Sequence, residues 1–534
     1  MATEMHGQPA FSRREFLATT GGSLAGVTTY GLIGAAEAAV RRRPKRGGTL
    51  RFATRGDGTG LDPHRNLIYP VSQPLAATSQ GLLDLNLQCE PVPGIAIEWD
   101  IAPDLLTYTF KLRQGARFHN GREIDAAAVK WNFERIQNPK TSHSFARSAL
   151  SNLKETIAVD KYTVRCQLHE PSATFLSDVV YYPCSLMAPD SEAQAHMHPI
   201  GCGPFKFVEW KRHEITRLAR FEQYYETDAE GNSLPYLDSI EGLPKTDDTV
   251  RLTSLRAGEV DLIDNMAYTD AAVFKWNYPG QFQTWNVATL GTSFILFNLD
   301  KGPFTDKRLR QAAAHAVDHQ AIKRAVFCDR GDTATGYYAK GSPWHTPNAK
   351  PYPEYNPDKA KHLLRRARAT GTVIDLQSLS SYPYLQQTGE LRQAMWSEVG
   401  FKVHHSILED AVLSKKRRAR DFHAASASAS YRFDPDGWFA RQFLSTSPSN
   451  QQGPGFRHDQ ADQLILEARR TADRAKRLDL YAEIDSIIND ELPILYLHHL
   501  TLLEAGVLHL KGYQPAISGP FSTQGAGIRT AWLA

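Results

Sequence analysis

Val373-Ile374-Asp375-Leu376-Gln377-Ser378-Leu379 and Val403-His404-His405-Ser406-Ile407-Leu408 are two short runs rich in branched apolar residues. The stretch between them, Leu391–Glu398, reads as a helix. Strand, helix, strand at this spacing is a β-α-β unit, because parallel neighbours need a crossover of about a dozen residues or more. Just upstream, Asn356-Pro357-Asp358 opens another helix, with Asn as the cap and Pro at the first position. Leu363, Leu364 and Ala367 supply its buried face, and Gly371 ends it. These elements make the chain α/β.

Further out, the same logic holds. Ser293–Asn298 is a short apolar strand, and the helix after it carries Leu309, Ala313, Ala316 and Val317 on one stripe. A long helical stretch near 459–490 carries Leu464, Ile465, Leu478, Tyr481, Ile484 and Ile488. The apolar run Leu492–Leu510 contains Pro493, Glu504 and three His, so it reads as core strands rather than a membrane span. In the first half, Gly47-Gly48 leads into a strand over Thr49–Thr54, and Tyr108, Phe110 and Leu112 alternate as one half-buried strand. Asp125 caps a helix with Val129, Phe133 and Ile136 on one face. Thr163–Leu168 and Phe205–Trp210 are further strands.

With 534 residues the chain needs more than one core, since single cores stop growing near 250–300 residues. Its 61 basic and 58 acidic residues nearly cancel, which argues against a nucleic-acid binder. A mean hydropathy of -0.41 excludes a multi-span membrane protein.

The N-terminus reads as an address. Ser12-Arg13-Arg14-Glu15-Phe16-Leu17-Ala18 has the twin arginine of a Tat export signal, followed by an uncharged, mildly apolar stretch. Ala36-Glu37-Ala38 offers a small-x-small cleavage pattern, so residues 1–38 are expected to be removed after Ala38 and the mature chain to work in the periplasm. That compartment permits disulfides. Five Cys cannot all pair, and none forms a Cys-x-x-Cys; a Cys184–Cys202 bridge and buried free thiols both stand open.

Enzyme signatures are missing from the sequence: no Gly-x-Ser-x-Gly, no phosphate loop and no His-Glu-x-x-His. His404-His405 and His498-His499 point to opposite faces of a strand and cannot chelate in pairs. His196 and His198 read as loop histidines. Asp434-Pro435-Asp436-Gly437 resembles the start of a calcium loop, but Ser445 occupies the position where its Glu belongs. No cofactor or metal is implied.

Several segments, in order, resemble the family 5 solute-binding proteins of ABC importers, the dipeptide-, oligopeptide- and nickel-binding group. They are Gly47-Gly48-Thr49-Leu50, Leu61-Asp62-Pro63-His64, Thr107–Gly115 running into Phe118-His119-Asn120-Gly121, Gly203-Pro204-Phe205, Leu255–Asp261, Phe297-Asn298, Pro303–Ala312 and Asn356–Ala360. The resemblance implies a bilobal periplasmic binding protein of type II, cluster C, with an extra third domain. Lobe I would comprise 39–80, 196–288 and 491–534, the extra domain 81–195, and lobe II 289–490. It also implies a binder without chemistry of its own. That binder would be a monomer that traps a small-molecule solute and delivers it to a membrane permease, with separate ATPase subunits supplying the energy; the Tat machinery would be its export partner.

Peptide-binding relatives hold the ligand amine with an Asp just before the Asp-Pro segment. Aligned on Asp434-Pro435, Tyr431 stands at that position and Ser428 replaces an upstream Trp. Losing the ion pair removes about 1.5–3 kcal/mol, so a free-amine peptide is not the expected solute. Tyr431, Arg432 and Phe433 offer a phenol, a cation and an aromatic face, and Arg432 can grip a carboxylate or phosphate. By similarity to nickel-type relatives, Asn66, Phe145, Tyr181 and Tyr182 also face the cleft, whereas Trp438 is expected in the core. A Tat-exported cofactor-binding enzyme and a ligand-loaded sensor for a membrane receptor are the competing readings.

Overall fold

The computed structural model describes residues 43–66, 75–87, 89–429, 432–515 and 527–534. The expected export signal and its cleavage point lie outside the described residues.

The β-α-β unit is present. Val373–Leu379 pairs in parallel with Lys402–Leu408, residue by residue from Val373↔Lys402 to Leu379↔Leu408. The intervening helix runs over Pro383–Val399, eight residues longer at its start than the apolar stripe suggests. Pro383 begins it, because proline's fixed φ suits the first turn. Asn356 caps the preceding helix by accepting from the Lys359 backbone N–H. The stretch near 459–490 is two helices, Asp459–Arg470 and Arg474–Glu491, split where Asp473 caps the second.

These strands belong to one large sheet. Its order is Lys402–Leu408, Val373–Leu379, Ala424–Ala429, Phe282–Phe297, Ile494–Val507, Leu262–Ile263, Thr49–Thr54, Ser239–Pro244, Ile215–Arg220, Phe205–Lys211. Successive residues of a strand face opposite sides, and each side is covered. Ile295, Phe297, Leu376, Leu495 and Leu497 pack with Trp396 on one side. Phe294, Leu296, Ala425, Ala427, Ile494 and Tyr496 pack with Trp438 and Phe439 on the other. Toward the other end of the sheet, Leu50, Phe52, Ile240 and Leu262 build one core while Ala53, Ile263, Leu503 and Ala505 build another with Phe274.

Phe282–Phe297 and Ile494–Val507 are therefore shared. They pair antiparallel from Phe282↔Val507 to Leu296↔Ile494, with register shifts between Ala288 and Thr292 and again at Ser293/Phe294. Leu495 and Leu497 sit in one half of the molecule and Leu503 and Ala505 in the other. Two crossing strands joining two separately packed halves make the protein bilobal. The strand expected over Ser293–Asn298 is the end of the first crossing strand.

A third unit stands on its own sheet, ordered Ala96–Ile101, Thr107–Leu112, Thr163–Leu168, Leu153–Asp160. The helix Ala126–Gln137, capped by Asp125, covers it with Val129, Phe133 and Ile136 buried. Tyr108, Phe110 and Val164 complete that core. Cys184 and Cys202 form no disulfide, and Cys202 Sγ lies 3.7 Å from the Gln80 carbonyl. Among the described residues no helix is long and apolar enough to cross a membrane.

Candidate functional site

The loop Leu61–His64 is pinned from the third unit. Arg135, on the helix Ala126–Gln137, donates to both Asp62 oxygens at 2.6 and 3.2 Å and to His64 Nδ1 at 2.7 Å. His64 Nε2 then faces the Ser185 carbonyl at 2.9 Å. Burial, backed by the Arg135 charge, drives the His64 pKa down to about 4, so the ring is neutral, with Nδ1 accepting and Nε2 donating. This clamp fixes the short turn Tyr182–Cys184 and the Tyr181 before it.

Tyr181 and Tyr182 diverge. Tyr181 reaches the second lobe: its ring centroid lies 4.9 Å from that of Phe433, tilted by 50°. Burial pushes the Tyr181 phenol up to about 12, and the charge of Arg432 moderates the rise. Tyr182 instead packs against the core of Leu50, Phe52 and Tyr513. Asn66 belongs to the loop before it, with its Oδ1 3.4 Å from Thr59 Oγ1 and its side-chain amide close to Gly60. Tyr431 and the Phe145 side chain lie outside the described residues.

Arg432 and Phe433 are buried, 9% and 6% exposed. Arg432 Nε donates to the Gly437 carbonyl at 3.2 Å, and the Arg432 carbonyl accepts from Tyr338 Oη at 3.2 Å. The approach is close at Gly437, where a Cβ would stand 3.1 Å from Arg432 Cδ. Both acids of the Asp434-Pro435-Asp436 segment are taken. Asp434 accepts from Arg477 at 2.6 and 2.9 Å, and Asp436 accepts from Arg469 Nε at 3.1 Å.

Two further arginines near Arg432 leave no trace in the sequence pattern. Arg441, on the helix Asp436–Phe443, has its pKa lowered by burial and then by the like charge of Arg432. Arg417 is lowered to about 10 by burial and then by Arg441. Arg441 thus lies within electrostatic reach of Arg432, and Arg417 within reach of Arg441. Arg417 and Arg441 carry no motif, so only the fold brings them together. Tyr384 Oη donates to Ser428 Oγ at 3.0 Å. Trp438 is a core residue, stacked on Tyr337 at 4.1 Å with its Nε1 on Tyr496 Oη. His196 and His198 are exposed. No cluster of three or more metal-ligating side chains occurs among the described residues.

A buried cation and aromatic faces gathered where two halves and a third unit meet suit a non-covalent ligand. Comparison with known proteins agrees. Residues 90–451 match the family described as bacterial extracellular solute-binding proteins, family 5 Middle. The chain belongs to the family 5 extracellular solute-binding proteins, the binding components of ABC importers. It is 26% identical over 493 residues to the glutathione-binding protein GsiB of Salmonella paratyphi A, covering 88% of this chain and 93% of GsiB. It is 27% identical over 506 residues to the dipeptide-binding protein of Escherichia coli K12, covering 87% and 92%.

Among solved structures, AgaA of A. tumefaciens R10 with agropinic acid aligns with a TM-score of 0.77 at 25% identity, covering 91% of this chain and 99% of AgaA. DppA of Helicobacter pylori, a periplasmic binding protein in complex with the peptide STSA, aligns with a TM-score of 0.77 at 24% identity, covering 92% and 98%. NikA of Brucella suis with Fe(III)-EDTA aligns with a TM-score of 0.79 at 24% identity, covering 89% and 99%. These relatives are binding proteins and not enzymes, which overturns the reading of an exported cofactor-binding enzyme.

Proposed function

We propose that this chain captures an anionic small molecule, not a free-amine peptide, and delivers it to an ABC permease. The observation that carries this reading is Arg432, buried beside Tyr181 and Phe433 and flanked by Arg441. Asp434 and Asp436 support it from the other side, because both are committed to Arg477 and Arg469. A carboxylate meeting a desolvated guanidinium makes the stronger, charge-assisted kind of hydrogen bond. AgaA, solved in complex with agropinic acid, holds a solute with a carboxylate.

The proposal takes Tyr181, Arg432 and Phe433 as solute contacts, with Tyr431 beside them and Asn66 on the facing loop; Tyr182 supports from behind. It divides the chain into lobe I (39–80, 196–288, 491–534), an extra domain (81–195) and lobe II (289–490), and places the working protein in the periplasm as a monomer, after Tat export and cleavage at Ala38. Closure stores no chemistry: the solute shifts the population of closed molecules by its preference for that form.

Calorimetric titration tests the solute class. Ala-Ala and tri-alanine are expected to give no binding heat, while agropinic acid gives heat that Arg432→Ala abolishes. Micromolar binding of Ala-Ala that survives in Arg432→Ala would overturn the proposal.

A further inference from the structure

The elbow between Asp459–Arg470 and Arg474–Glu491 concentrates positive charge. Arg469 and Arg470 close the first helix, where cations complement the dipole, and Arg474 opens the second. All three meet the third unit. Arg474 Nη1 lies 3.1 Å from Glu90 Oε1, and Arg470 Nη2 lies 3.6 Å from Glu170 Oε2. The Arg469 carbonyl accepts the Ala173 backbone N–H at 2.8 Å. Arg474 is held in place by Trp344, its guanidinium 5.1 Å from the ring centroid. Cys89, next to Glu90, packs against the second-lobe core.

We infer that this arginine elbow and the acidic edge carrying Glu90 and Glu170 form an electrostatic latch that holds the molecule closed from outside the solute site. The geometry is that of a clasp: two ion pairs and one backbone bond join segments separated by hundreds of residues, and they tie the third unit to the second lobe. None of these groups overlaps Arg432 or Phe433, so the latch acts on the closed-to-open ratio and through it on the apparent affinity for any solute. The ion pairs are partly exposed, 40% and 43% for Arg474 and Glu90, 51% and 58% for Arg470 and Glu170. Each therefore shifts the ratio by about two- to fivefold, and salt weakens it. The inference needs two halves that close, and does not need the solute to be an anion.

Small-angle scattering on exhaustively dialysed full-length protein tests it. Wild type is expected to be compact at low ionic strength and to expand as salt is added. Arg470→Glu with Arg474→Glu is expected to be expanded at low salt. Adding Glu90→Arg and Glu170→Arg to that variant restores the compact form. A wild-type radius of gyration that ignores salt, or a reversal variant whose curve superimposes on wild type, would overturn the latch. The salt series on wild type needs no variant to fold. A failed latch leaves the peptide titration untouched, and a failed titration leaves the latch untouched.

Discussion

Arg477 and Asp434 set the position of Arg432 by anchoring the segment that follows it. Both are buried, 5% and 7% exposed, and paired through two hydrogen bonds. Burial works against the Arg477 charge, but Asp434 beside it more than offsets this and raises its pKa. Arg477→Ala leaves the Asp434 carboxylate buried without its cation, and is expected to cost about 3–5 kcal/mol in urea unfolding. Replacing the pair together, Arg477→Met with Asp434→Leu, is expected to cost much less, since an apolar pair carries no desolvation penalty. Equal losses in the two variants would contradict this account. At this scale the sequence was partly legible. Of the residues the sequence offers as solute contacts, Tyr181 and Phe433 come into ring contact and Arg432 lies close by, but Arg477, 43 positions from Asp434, has no local signal to mark it.

The helix Pro383–Val399 shows what the apolar pattern conveys and what it omits. Its second half carries the buried stripe and was legible. Its first half, Pro383 to Glu390, includes Gly389 and was not read as helix. Gly389 is there for close approach: a Cβ would stand 2.4 Å from His405 Nε2 and 2.8 Å from Ser378 Oγ. Those two groups bond each other at 2.8 Å, and Ser378 bonds Ser426 at 2.8 Å. Gly389→Ala gains about 1 kcal/mol of helix propensity but must displace this bonded set, at about 1–3 kcal/mol for overpacking. The expected net result is a loss of about 1 kcal/mol, read as a lower urea midpoint with unchanged slope; a gain would show that His405 moves aside freely. The first crossing strand was likewise read from its apolar end at Ser293–Asn298. Its other end, from Phe282, alternates with polar neighbours such as Gln283 and Asn286 and pairs with a strand more than 200 residues away.

The molecule as a whole joins its halves through Phe282–Phe297 and Ile494–Val507, and the second of these carries a buried acid. Glu504 is fully buried, accepts from Tyr513 Oη at 2.6 Å, and has its pKa pushed up to about 8 by burial. Nearby Asp264 is pushed up to about 6, also by burial. Each keeps its proton in the folded chain where the unfolded chain has lost it. The stability they contribute is complete below the usual carboxylate pKa of about 4 and disappears as pH rises through about 6 for Asp264 and about 8 for Glu504. Urea midpoints are therefore expected to fall between about pH 5 and pH 9, and to fall less in Glu504→Gln. Parallel pH profiles for the two proteins would contradict this. At this scale composition demanded more than one core, but two halves sharing crossing strands came from the resemblance of ordered motifs, because register between distant strands leaves no periodic trace in the sequence.

The central claim is that two lobes hold a small molecule and release it unaltered. Native mass spectrometry of protein purified without denaturation, followed by analysis of what unfolding releases, tests it most directly. The account predicts one non-covalently bound anionic compound whose mass is the same before and after prolonged incubation with the protein. A compound converted to a different mass by the isolated chain would contradict it.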